Sequence, residues 1–66
     1  MVLTANDRIQ LTSMKYDPYP IEPGTKGTVK EVMPGIFDDE TYVDVQWDNG
    51  RTLGLVLPID ECFKIG

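Results

Sequence analysis

Thr41-Tyr42-Val43-Asp44-Val45-Gln46-Trp47-Asp48-Asn49-Gly50-Arg51-Thr52-Leu53-Gly54-Leu55-Val56-Leu57 is the stretch on which the fold turns. Val43, Val45 and Trp47 alternate with Tyr42, Asp44, Gln46 and Asp48, a period of two that puts the first set on a buried sheet face and the second on the opposite one. Asn49-Gly50 has the composition of a two-residue type I′ turn, in which both residues take positive φ. Leu53, Leu55 and Leu57 then repeat the alternation on the return. The stretch reads as a hairpin of two strands, 41–48 and 51–57.

The pattern extends outward from this hairpin. Asp7-Arg8-Ile9-Gln10-Leu11-Thr12 alternates in the same way and gives a first strand with Ile9 and Leu11 inward. Ser13 to Gly24 contains Pro18, Pro20 and Pro23, which lack amide donors and hold their predecessors extended, so this segment is a long stiffened loop. Gly24 and Gly27 supply turn chemistry. Thr28 to Met33 follows as a second strand, with Val29 and Val32 out of phase and hence a bulge. Pro34-Gly35 opens another loop, which carries Asp38-Asp39-Glu40. After Pro58-Ile59-Asp60, a short turn with 3₁₀ character, Glu61 to Ile65 forms a fifth strand with Phe63 and Ile65 inward. Nothing has the length and period of a helix. Five short strands in 66 residues bury a core most economically by closing on themselves, so the expected fold is all-β, one domain over 1–66, with residues 1–6 frayed.

Composition limits the chemistry. Eleven Asp and Glu against six Lys and Arg give a net charge of −5, the wrong sign for holding a phosphate backbone, so nucleic acid is disfavoured as a partner. The chain has no histidine, which removes the Ser-His and Cys-His nucleophile arrangements. Cys62 is the only cysteine; it reads as a packing residue, and the absence of a disulfide framework suits a reducing cytoplasm. No run approaches a membrane span, and the first residues lack the character of a secretory leader. Gly24-Thr25-Lys26-Gly27-Thr28 precedes a strand, not a helix, so it is a turn and not a phosphate loop. Asp38, Asp39 and Glu40 lack the spacing of a calcium loop and read as solvated. The residues predict no catalytic group, no metal site and no cofactor.

The order of features resembles an SH3-like barrel. More narrowly, Asp17-Pro18-Tyr19-Pro20-Ile21-Glu22-Pro23-Gly24-Thr25-Lys26-Gly27-Thr28-Val29, together with Trp47-Asp48-Asn49-Gly50-Arg51-Thr52-Leu53-Gly54-Leu55, is similar to a small family known as domain of unknown function 4314. The resemblance spans residues 7 to 65. It implies a small five-stranded SH3-like barrel of bacterial, phage or mobile-element origin and brings no established activity. The Met33 to Glu40 connection departs from the family's usual short link. The Gly24/Gly27 pair also resembles the turn of KOW-type RNA-associated barrels.

These readings point to a non-enzymatic protein-binding module. Tyr16, Asp17, Tyr19 and Ile21 lie on the proline-stiffened loop, where little entropy is lost on immobilising aromatic anchors; the alternative for the apolar ones is that they close the barrel mouth. Asp38, Asp39 and Glu40 form the acidic loop and favour a basic partner. Tyr42, on the outer face of its strand, and Arg51 complete the expected binding surface, Arg51 alternatively pairing with Asp48 or Asp44 across the ladder. The other two functional classes are a nucleic-acid or ribosome accessory using Lys26, Lys30 or Arg51, and a homo-oligomer that captures a small ligand between subunits.

Overall fold

Alternation in the central strand is carried directly into burial: Val43, Val45 and Trp47 are buried while Tyr42, Asp44 and Gln46 are not. The computed structural model describes residues 2–66 and contains five strands, β1 (Arg8–Ser13), β2 (Lys26–Pro34), β3 (Thr41–Trp47), β4 (Leu55–Leu57) and β5 (Glu61–Lys64). They form one antiparallel sheet in the order β4-β3-β2-β1-β5, with no helix among the described residues. The expected all-β class and strand number hold, and so does the bulge in β2, where the register with β3 shifts between Val29 and Glu31.

The sheet is rolled, and chain connectivity requires it. In a flat sheet the outer strands β4 and β5 would stand four inter-strand steps apart, about 19 Å at ~4.8 Å each. They are joined by Pro58, Ile59 and Asp60 alone, and the four steps from Leu57 to Glu61 reach at most about 14 Å. Asp60 fastens the roll. Its buried carboxylate accepts the Val56 amide at 2.9 Å on β4 and the Lys15 amide at 3.4 Å just beyond β1, and its own N–H donates to the Val56 carbonyl at 2.8 Å. This closure replaces the expected 3₁₀ turn. The concave face collects Ile9, Leu11, Ile21, Val29, Val43, Val45, Trp47 and Leu55, with Leu3 joining them.

Trp47 is the largest fully buried side chain, and two local features make room for it. Its indole N–H donates to the Leu53 carbonyl at 2.9 Å, which satisfies the one polar atom of the ring. Opposite it stands Gly27, where an added Cβ would lie 2.8 Å from the ring and 2.7 Å from Val45. Gly27 is therefore a packing residue inside β2, and not the turn residue that the sequence suggested. The loop after β3 also differs from expectation. Gly50 has positive φ but Asn49 does not; Gly50 N–H donates to the Trp47 carbonyl and Trp47 N–H to the Arg51 carbonyl. That is a three-residue loop with a glycine bulge instead of a two-residue type I′ turn.

Both ends of the chain carry corrections. Leu3 is buried and the Asn6 amide donates to the Val29 carbonyl at 2.7 Å, so the segment expected to fray is docked on the sheet from Leu3 onward; Met1 lies outside the described residues. In β5 the inward residue is Cys62, packed on the core opposite Leu11, whereas Phe63 faces outward opposite Gln10 and is 46% exposed. Ile65 is also exposed. Asp60 sets this phase: its side chain must turn inward to reach Val56 and Lys15, so the inward positions that follow are even-numbered.

Exposed charges reinforce the seams. Arg8 donates to both Asp48 carboxylate oxygens, at 2.8 and 2.6 Å, and this hydrogen-bonded contact holds Asp48 below its ordinary pKa. Asp7 is likewise held low, chiefly by the Thr4 backbone amide at 2.8 Å and then by Lys64. A carboxylate with a depressed folded-state pKa adds stability that is fully present above its unfolded value near 3.8 and is lost as pH falls through the folded value. Chemical denaturation across pH 2–5 is expected to show stability falling below about pH 4. The fall should be shallower in Asp48→Asn, which removes one of the two groups.

Candidate protein-binding site

One row of the otherwise mostly polar convex face is apolar. Tyr42 on β3 stands directly between Met33 on β2 and Val56 on β4, so these three side chains share the outer surface in one cross-strand row. Beside the row, Tyr42 lies over Gly54, whose missing side chain leaves space for the phenol ring; an added Cβ would collide with the ring. This contact sits where the β3–β4 ladder opens: the bridge Gln46↔Thr52 and the pair Val43↔Leu55 belong to one register, with Leu53 and Gly54 between them outside any strand. The expected fourth strand over 51–57 is thus shortened to Leu55–Leu57.

Two hollows meet at Val56. One, of about 390 Å³, is walled by Met33, Ile36, Glu40, Tyr42 and Val56. The other, of about 230 Å³, is walled by Met14, Tyr16, Asp17, Gly54, Val56 and Ile59. With Val56 common to both and Tyr42 touching Gly54, they make one groove across the convex face. Its margins are exposed: Ile36 is 93% and Tyr16 82% accessible.

The expected surface residues are partly brought together here. Tyr16 and Asp17 line one end of the groove, Tyr42 its middle and Glu40 the other end. Tyr19 is exposed but lines neither hollow. Ile21 is 1% exposed and belongs to the core, so it is withdrawn from the contact surface and is instead the apolar residue that anchors the loop. Arg51 pairs with neither Asp48 nor Asp44. Asp48 is occupied by Arg8, and the Arg51 guanidinium instead donates to the Tyr19 carbonyl at 2.7 Å and the Pro20 carbonyl at 3.3 Å, strapping the loop to the hairpin end. Asp17 accepts the Tyr19 amide at 2.8 Å and shapes the loop tip. Of the acidic loop, Asp38 and Asp39 are exposed, and Asp39 turns toward a different hollow.

That hollow, about 440 Å³, opens where Leu3, Val32 and Val43 reach the rim of the core, beside Asp39, Asp60 and Cys62. Burial, and secondarily the Asp60 charge, pushes the Cys62 thiol above its ordinary pKa, away from the thiolate that a nucleophile or metal ligand requires. Among the described residues no three carboxylate or cysteine groups converge as a metal site would need, and no helix is long and apolar enough to cross a membrane.

Sequence comparison now adds a family. The family model described as Domain of unknown function (DUF4314) matches residues 4–65. The chain belongs to this family. No curated protein and no solved structure matches it.

Met33, Gly54, Val56 and Ile59 were not singled out as surface residues from the sequence. One signal was present: Leu55-Val56-Leu57 is apolar at every position, and in a strand this means that both faces are covered. Arg51→Ala is expected to free the loop without unfolding the domain. Chymotrypsin should cleave after Tyr16, the exposed tyrosine of this loop that is not followed by proline, several-fold faster than in wild type, while the unfolding free energy changes by less than about 1 kcal/mol.

Proposed function

We propose that this DUF4314 chain is a non-enzymatic protein-binding module, an SH3-like barrel that receives a partner polypeptide in the groove of its convex face. The observation that carries the reading is the cross-strand row Met33, Tyr42 and Val56 on the outer surface, flanked by exposed Tyr16 and Ile36. Contiguous apolar surface rimmed by polar groups is the signature of an interaction site. The groove stands on strands, and the proline loop that forms one margin is held by Arg51 and Ile21, so little ordering is left to be done there on binding. With the prokaryotic or phage origin that the family resemblance implies, the partner is a protein of the bacterial cytoplasm.

The nucleic-acid reading has less support. Arg8, Lys15 and Lys64 are engaged by Asp48, Glu61 and Asp7, and Arg51 by loop carbonyls. Lys26 and Lys30 are left to form a basic track, too few for a phosphate backbone at a net charge of −5. A photo-crosslinking amino acid placed at Ile36 or Tyr16 is expected to trap a discrete protein from host lysate, and one placed at Thr12, outside the groove, is not. Identical products from all three positions, or none from either groove position, would refute the proposal.

A further inference from the structure

We infer that the groove takes an extended polypeptide segment in which apolar side chains are flanked on both sides by lysine or arginine. The inference rests on the protein-binding reading above and specifies the partner's chemistry. The floor of the groove is apolar, Tyr42 and Val56, and each end carries one carboxylate with a free oxygen: Asp17 beside Tyr16 and Glu40 beside Ile36; Asp60, which also borders the Tyr16 end, is buried with both oxygens taken by the Val56 and Lys15 amides. Neither Asp17 nor Glu40 has a cation within ion-pair distance among the described residues, while three of the chain's own cations are committed to other carboxylates. Asp17 spends one oxygen on the Tyr19 amide and keeps the other. The ends of the groove are therefore negative and uncompensated, and the middle is uncharged.

Length follows from the sheet. The row Met33–Tyr42–Val56 crosses three strands, about 10 Å, the reach of about three extended residues. A fitting segment thus has at least about three residues between its two basic ones, apolar where they meet Tyr42 and Val56. A second copy of this chain fits poorly as the occupant. It brings a net charge of −5, and a two-fold contact through the groove would set Asp17 and Glu40 against the same carboxylates of the other copy.

The test is selection of a displayed library of random twelve-residue peptides on the intact chain, followed by fluorescence anisotropy of the enriched peptides. Enrichment of an apolar pair bracketed by Lys or Arg is expected, with amide shift changes centred on Tyr42 and Val56. Asp17→Asn/Glu40→Gln should weaken the binding about fivefold, and 0.5 M salt should weaken the wild type by a similar factor, roughly the size of two exposed charge pairs. Enriched peptides lacking basic residues, affinity unchanged in the double variant, or a dimer in sedimentation equilibrium that buries the groove would each overturn the inference. Peptides that map to the groove without basic residues would leave the protein-binding reading standing; binding that maps elsewhere would remove both.

Discussion

Asp60 solves the problem that every rolled sheet faces, which is how its outer strands end. The outer edge of β4 presents the N–H and C=O of Val56, and both are taken by Asp60, the amide by its carboxylate and the carbonyl by its N–H. An unpaired edge would invite another chain to add a strand; here a single residue caps it. The other carboxylate oxygen reaches Lys15, so β4, β5 and the start of the proline loop converge on one side chain. Burying a carboxylate is costly unless its lone pairs are satisfied, and two backbone amides satisfy them. Removing the side chain would leave the Val56 amide unpaired and the roll without its fastening.

From that closure the two faces acquire different roles. The concave face is filled by Trp47 and its aliphatic neighbours, and Gly27 is required because the indole occupies the volume of a side chain. The convex face repeats the device at smaller scale, with Gly54 yielding space to Tyr42. Inside, close approach excludes water and stabilises the domain. Outside, it seats the Tyr42 ring over Gly54, beside the two hollows that share Val56 as a wall.

Much of this was legible in the sequence, and the failures share a cause. Strict alternation in Val43-Asp44-Val45-Gln46-Trp47 and Ile9-Gln10-Leu11 reports burial because side-chain direction in a strand is local. The out-of-phase Val29 and Val32 revealed the bulge for the same reason. Gly27 and Gly54 were opaque, since a glycine needed for conformation and one needed for a neighbour's ring look alike in one sequence. The phase of β5 was misread because Phe63 is the more apolar residue, yet register is imposed by Asp60 and by pairing with β1. Arg51 was expected on the binding surface or alternatively paired with Asp48 or Asp44, but Arg8 occupies Asp48 from 40 residues away and Arg51 turns to the carbonyls of the proline loop. Ile21 was seen as loop, and only tertiary packing distinguishes an anchor from a contact residue. In the candidate site, Tyr16, Asp17, Glu40 and Tyr42 were recognisable by type, while Met33 and Val56 join them only through cross-strand pairing.

The exchange of the Val56 amide with solvent, followed by NMR on the intact chain, tests the closure most directly. If Asp60 caps the β4 edge, this amide exchanges at the slow rate of Val29 and Val45 in the core, and in Asp60→Ala it becomes as fast as the amides of residues 36–39. A Val56 amide that already exchanges at loop rates in the wild type would contradict the account.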